Sequence, residues 1–312
     1  MTGAPQCMRN RARVTGPGGE SGQANAHVAW RMAQARRAAR AYAENPKLAA
    51  LAVAGSVGSG LADRFSDLEL DCYWSRPPGD LDRTRPVDAL GGELTDLWDF
   101  DAGEEEWSEE YRLGELGVTV SSFLTGTIDR YLDQVVRDGD TDPVKHMRLA
   151  ALRRSRPLVG AQLMASWRSR AGEYPDKLVS AMVARSLDPQ VLRGWAARDA
   201  LASRGDDLAL HALLTRAGHA VVGAVLALNR VYLPHRELKW QRHLIAGLDV
   251  VPDQFAERLA LLSASQSAGA LRAAEVLLTD VVALSEARTD ADLSSFREEL
   301  AARRRVIDPP AD

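Results

Sequence analysis

Cysteine is almost missing from this chain, with only Cys7 and Cys72 among 312 residues. That scarcity excludes a disulfide scaffold and any cysteine-only zinc site, and it makes a reduced, cytoplasmic setting the expectation. Long apolar runs are missing too. No stretch of about 18 residues is both apolar and uncharged, so no spanning helix and no membrane partner are predicted. Arg9, Arg11 and Arg13 stand near the start, but no apolar stretch follows them, so a secretory leader is not expected. The net charge of −4 is too slight for a dedicated duplex nucleic-acid binder.

What is present is an ordinary globular balance, 46% hydrophobic and 26% charged, in a length that suggests two domains. The small net charge hides a polarised distribution. From Asp80 to Glu115 there are 13 acidic and 3 basic residues, whereas Lys145 to Arg170 holds 7 basic and no acidic ones. Such blocks read first as solvated faces. The alternative is that the basic block faces a polyanionic ligand.

Residues 1–24 are rich in Gly, Pro, Ser and Arg and lack apolar periodicity, so a disordered tail is expected there, with a second short tail at 308–312. A helix is predicted over 27–45, stopping before Pro46, and a buried strand over 48–54 ending at Gly55. After the turn Gly55-Ser56-Val57-Gly58-Ser59-Gly60, residues 67–74 alternate polar and apolar, which predicts a strand. A helix over 80–90, a strand over 93–100, a loop over 104–110, a strand over 117–123 and a helix over 127–137 follow. Asp142 is a natural helix cap and Pro143 a natural first helical residue. Beyond them helical spacing dominates: 158–171, 176–187, 189–203, 206–228, 252–263, 268–287 and 290–304, with no further strand expected. The predicted class is α+β: a mixed β-sheet domain with flanking helices over 25–140, then an all-α bundle over 141–307.

One constellation carries chemistry. A strand delivers Gly55-Ser56 to a tight turn, where backbone amides and the Ser56 hydroxyl can hold phosphate oxygens. The chain returns through Ser66-Asp67 and Glu69, two carboxylates on one strand face and close enough to share a hard divalent cation. Mg²⁺ suits that set, because it accepts a few carboxylates together with substrate phosphates.

Gly55-Ser56 followed by Ser66-Asp67-Leu68-Glu69 resembles the signature of the polymerase-β-like nucleotidyltransferase superfamily, G-S then S-D-x-[DE]. Within it, the chain looks most similar to actinobacterial nucleotidyltransferase-like proteins with an added helical domain, an organisation shared with aminoglycoside and lincosamide nucleotidyltransferases. Lys145, Pro157-Leu158 and Gly160 match weakly, as does a second patch of Asn229, Tyr232, Pro234, Lys239 and Trp240. The resemblance implies Mg-dependent nucleotidyl transfer from a nucleoside triphosphate to a small-molecule acceptor, with Asp67 and Glu69 as catalytic metal ligands. Gly55 and Ser56 would hold the β- and γ-phosphates, and Lys145 would reach the triphosphate. The relatives' antibiotic-modifying chemistry makes a role of that kind one expectation.

The pattern also breaks. Relatives place a third carboxylate on a later strand, and the matching position here is Thr119, which can neither act as a base at neutral pH nor bind Mg²⁺ well. Asp71 shares the strand face but stands about 13 Å from Asp67 along the strand, too far to share one ion. Asp207 and its neighbours on the helical side are alternative bases. A second reading therefore stays open: a degenerate fold, repurposed for metal-independent small-molecule chemistry or ligand binding. A third is a regulator that works through its helical surface. His211 and His219 share a helix face without further ligands, which argues against zinc. Trp167, Trp195 and Trp240 read as core or interface anchors, with Trp240 beside Lys239 the one worth testing for ligand contact. A homodimer is among the assemblies the sequence allows.

Overall fold

The structure is a computed structural model that describes residues 25–264 and 268–307; the tails expected at 1–24 and 308–312 lie outside the described residues. The elements in chain order are α1 (Ala26–Ala43), β1 (Leu48–Val53), α2 (Gly55–Gly58), β2 (Leu68–Trp74), α3 (Asp80–Ala89), β3 (Glu93–Asp101), β4 (Glu106–Leu113), β5 (Leu116–Leu124), α4 (Thr125–Leu132) and α5 (Pro143–Arg154). Then come β6 (Arg156–Val159), α6 (Ala161–Gly172), α7 (Asp176–Ser186), α8 (Arg198–Arg204), α9 (Asp207–Leu228), α10 (Gln241–Ala246), α11 (Phe255–Ala264), α12 (Ala268–Glu286) and α13 (Ser294–Ala301). The class is α+β, a mixed sheet with flanking helices followed by a helical region.

The six strands lie in the order β3-β4-β5-β2-β1-β6. Only β2 and β5 run parallel, and their register pairs Glu69 with Thr119 and Asp71 with Ser121. The side-chain period of a strand sends alternate residues to opposite faces. On β2, Leu68, Leu70, Cys72 and Trp74 join a core with α1, including Ala35, Ala38 and Tyr42. Tyr73 on the other face joins Ala50, Ala52 and Phe123 in the core that continues through the C-terminal helices. The sheet is thus covered on both faces, and the carboxylate face of β2 is the one turned to the helical region.

Three expectations are corrected. The acidic run predicted as a loop contains strand β4, whose ladders join β3 and β5. Charge hid its period of two: Glu106, Ser108 and Glu110 stand on one face, and Trp107, Glu109 and Tyr111 on the other. Residues 158–171 begin not as helix but as β6, which pairs antiparallel with β1 and turns at Gly160. That turn needs glycine: φ is +68°, and a Cβ there would stand 2.3 Å from the Ala49 carbonyl oxygen. The helix predicted over 189–203 is two short 3₁₀ turns and then α8, broken at Gly194 with φ +86°. Asp142 caps α5 as expected, its carboxylate accepting from the Val144 and Lys145 amides.

Helix α9 spans 22 residues and is the one described helix long and apolar enough to cross a membrane by length and composition. Leu214, Ala217, Val221, Val222 and Val225 along it are each no more than 1% exposed, packed among α7, α11 and α12.

Candidate functional site

The β1–β2 connection is built by close approaches. Gly55 opens α2 with φ +56°, and a Cβ on it would stand 2.4 Å from the Glu69 carboxyl carbon. The Glu69 carboxylate therefore lies against the bare α-carbon of Gly55, and any side chain at this position would have to displace it. Gly58 is equally constrained, with the Val53 carbonyl oxygen 2.4 Å from where its Cβ would be. Arg156 of β6 donates from Nε to the Gly58 carbonyl at 3.0 Å, tying the turn to the sheet edge.

The segment before β2 is pinned from α1. Buried Arg31 donates from Nε to the Ser66 carbonyl at 2.8 Å, and a second guanidinium nitrogen bonds the same oxygen. Asn25, the cap of α1, donates to the Ala62 carbonyl at 2.7 Å. The Asp63 carboxylate accepts from the Phe65 amide at 2.9 Å and the Ser66 hydroxyl at 3.0 Å, contacts that hold its pKa below the usual range. Asp67 is thereby delivered to the end of β2 beside Glu69.

Both carboxylates line a cleft of about 480 Å³ between the sheet end and the helical region. The same cleft brings together Gly55, Ser56, Asp67, Glu69, Lys239 and Trp240, residues far apart in sequence. Neither the Asp67 nor the Glu69 carboxylate makes a hydrogen bond or ion pair with another described residue. Glu69 is open to solvent at the cleft mouth, yet the surrounding walls desolvate its carboxyl and Asp67 repels its charge, so its pKa is raised; Lys239 and Arg148 oppose the shift. Asp71 stands deeper on the same face and is buried, its carboxyl pushed up to about 7 chiefly by desolvation.

Cations line the cleft too. Arg154 and Lys239 line the cleft, and neither is ion-paired or hydrogen-bonded to another described residue. Arg148 lines it as well but is held at 2.8 Å by Glu106 and lies 4.8 Å from the Phe123 ring centroid. Trp240 is 44% exposed, a large aromatic surface left facing the cleft.

Other expected residues stand elsewhere. Lys145 pairs with Asp140 beside the Tyr131 ring and is not in the cleft wall. Tyr232 is buried, donating its hydroxyl to the Ala171 carbonyl at 3.0 Å. Asp207 opens α9 on the surface, away from the cleft lining. Thr119 is the register partner of Glu69, so no carboxylate flanks Glu69 on β5. Among the described residues, no three His, Cys, Asp or Glu side chains are arranged to hold one ion. The two-acid set still fits a single Mg²⁺ completed by water and phosphate oxygens: two adjacent acids without a cationic partner are the donor chemistry such an ion requires.

The sequence reading missed His235, His243, Arg148 and Arg154, which all line the cleft. His235 has its Nδ1 2.6 Å from Glu237 Oε2. Desolvation and then Lys239 lower its pKa, against the pull of Glu237. A His-x-Glu pair in a loop carries no local sequence signal; only the fold brings it into one cleft with Asp67.

Comparisons with known proteins are sparse. A family model described as a domain of unknown function (DUF4037) matches residues 144–241, from α5 to the first residue of α10. No curated protein matches. Among solved structures, the chain is similar to a nucleotidyltransferase-like protein from Exiguobacterium sibiricum 255-15, at 13% identity over 85% of this chain and 78% of that one, with a TM-score of 0.39. That likeness is too distant to assign an activity.

Proposed function

We propose that the cleft binds a nucleoside triphosphate with Mg²⁺ and transfers its nucleotidyl group to a small-molecule acceptor. The observation that carries this reading is the cleft's polarity. Two carboxylates without an ion-pair partner, Asp67 and Glu69, and two cations without one, Arg154 and Lys239, line one cleft together with Gly55-Ser56 and Trp240. A metal–triphosphate complex presents the matching charges, cation toward the acids and phosphate oxygens toward the bases. The Trp240 ring offers a surface for a nucleobase.

Asp67 and Glu69 would hold the ion, which supplies charge neutralisation at the phosphates when bound. Ser56 hydrogen-bonds a phosphate oxygen, and Arg154 and Lys239 hold the remaining negative charge. The acceptor hydroxyl attacks the α-phosphorus, the new O–P bond forms as the bridging P–O bond to the β-phosphate breaks, and pyrophosphate leaves. The acceptor's proton goes to His235, whose ring is oriented by Glu237 and fills the part left empty by Thr119.

The test is calorimetric titration of the full chain with each of the four ribonucleoside triphosphates, with and without Mg²⁺. Binding in the micromolar range that needs Mg²⁺ and weakens at least tenfold in Asp67→Ala is the expected result. No binding to any of the four, with Asp67→Ala indistinguishable from wild type, overturns the reading.

Thr119 favours a second reading, a fold that binds the nucleotide or another metabolite without metal-dependent transfer. Adjacent parallel strands stand about 4.8 Å apart, so an aspartate at 119 would flank Glu69. Nucleotidyl transfer that is absent in wild type and present in Thr119→Asp supports this second reading; robust transfer by wild type that the substitution leaves unchanged rules it out.

A further inference from the structure

The segment from Arg230 to Trp240 separates the cleft from a second cavity. Pro234, His235 and Lys239 face the cleft, whereas Val231, Leu233, Arg236 and Leu238 line the cavity behind it. Arg230, Leu238 and Trp240 all hold positive φ, between 52° and 59°, so the segment is bent into one specific shape.

This second cavity, about 440 Å³, is walled by α7 and α9. Its body is apolar, formed by Met182, Ala220, Leu226 and their neighbours. Helices α7 and α9 approach closely there, for a Cβ on Gly223 would stand 2.7 Å from the Ser186 hydroxyl oxygen. Its charged lining has one sign: Arg185, Arg216 and Arg236, with no aspartate or glutamate. Arg236 is shared with Glu104 at 3.4 Å. The other two keep their full charge. Arg216 donates to the Val191 carbonyl at 3.2 Å and the Arg193 carbonyl at 2.8 Å, and Arg185 to the Thr141 hydroxyl at 3.4 Å. Neutral acceptors orient a guanidinium without cancelling it, which leaves its positive field available to a ligand. An apolar cavity of this size with two such groups at its rim is complementary to one ligand chemistry.

We infer that this cavity binds a small amphipathic organic anion, its apolar body against α9 and its carboxylate, sulfonate or phosphate at Arg185 and Arg216. The site is separate from Asp67 and Glu69 and does not depend on what the cleft does.

The experiment is a fluorescence titration of the full chain with 8-anilinonaphthalene-1-sulfonate, beside the uncharged N-phenyl-1-naphthylamine. Wild type is expected to bind one equivalent of the sulfonate saturably. The double variant Arg185→Gln/Arg216→Gln weakens the sulfonate at least tenfold while leaving the uncharged probe within twofold. Ala220→Trp, which fills the cavity, removes both, with circular dichroism confirming that the variant is folded. Should Ala220→Trp fail to fold, the arginine pair at the rim decides the matter. Absence of saturable binding, an unchanged sulfonate affinity in the arginine variant, or displacement of the probe by ATP with Mg²⁺ overturns the inference.

Discussion

Gly55 governs the geometry on which the candidate site depends, for two separate reasons. Its backbone lies in the left-handed region, which costs about 1–2 kcal/mol for a residue with a side chain, and the Glu69 carboxyl occupies the space a Cβ would need. Gly55→Ala is therefore expected to lower stability by about that amount in urea titration and to push Glu69 off the cleft wall. On the proposed reading, calorimetry would also show Mg-nucleotide affinity falling at least tenfold. A variant with normal stability and normal binding would show that the Gly55–Glu69 contact is immaterial. Glu109 makes a different residue-scale case. It is fully buried on the α1 face of β4, hydrogen-bonded by the Tyr42 hydroxyl at 3.1 Å and 3.6 Å from Arg83. Burial wins over Arg83 and Tyr42 and pushes its carboxyl up to about 8. The folded chain then holds a proton that the unfolded chain releases near pH 4.3, so this contribution is complete below that pH and lost as pH rises to about 8. Glu109→Gln lacks that dependence. Its unfolding free energy should gain on wild type steadily from pH 5 to 8, and a pH-independent difference would count against a protonated Glu109.

At the scale of elements, part of the acidic and basic blocks is engaged with the protein itself. Glu104 and Glu106 meet Arg148, Glu105 meets Arg130, and Arg170 bridges Asp129 and Asp133. Only Arg148 and Arg154 of the basic block reach the cleft lining. The solvated-face reading holds for Asp88, Glu93, Asp96, Asp99, Asp101 and Glu115, which are exposed, and fails for Glu104, Glu105, Glu106 and Glu109, which are half-buried or buried where counter-charges meet them. Helix α9 shows how far the apolar pattern carries. Its burial follows directly from a sequence with few charges, and its packing makes it the centre of the helical core. Leu214→Ala is expected to cost about 2–5 kcal/mol, read as a lower urea midpoint with an unchanged slope. Less than about 1 kcal/mol would mean that the helices around α9 close over the gap.

For the whole molecule, the decisive feature is that one face of the sheet is covered only in part by α4 and for the rest by the C-terminal helices. Ala50, Ala52, Tyr73 and Phe123 are buried by side chains from the C-terminal helices, and β6 adds the sixth strand from beyond α5. A chain ending at residue 142 would expose that face and leave β1 as a sheet edge, an arrangement prone to aggregate. Such a fragment is expected to be insoluble or to lack a cooperative transition, whereas the full chain unfolds in one step by circular dichroism and tryptophan fluorescence. A soluble, cooperatively folding fragment would show that the two regions are independent.

Local pattern alone was enough for much of this protein. The period of two in 67–74, the cap at Asp142, the apolar stripe of α9 and the adjacency of Gly55-Ser56 to Asp67 and Glu69 are all properties of near neighbours in the chain. The Thr119 departure rests on the resemblance of its strand to the family pattern, whereas the register that sets Thr119 beside Glu69 belongs to the sheet. Tertiary structure decided the rest: that β4 and β6 are strands, that Lys145 turns to Asp140, and that His235, Arg154 and Trp240 share a cleft with Asp67. Strand pairing and cleft assembly join residues up to roughly 190 positions apart, and no local periodicity encodes which distant surface will cover a given face.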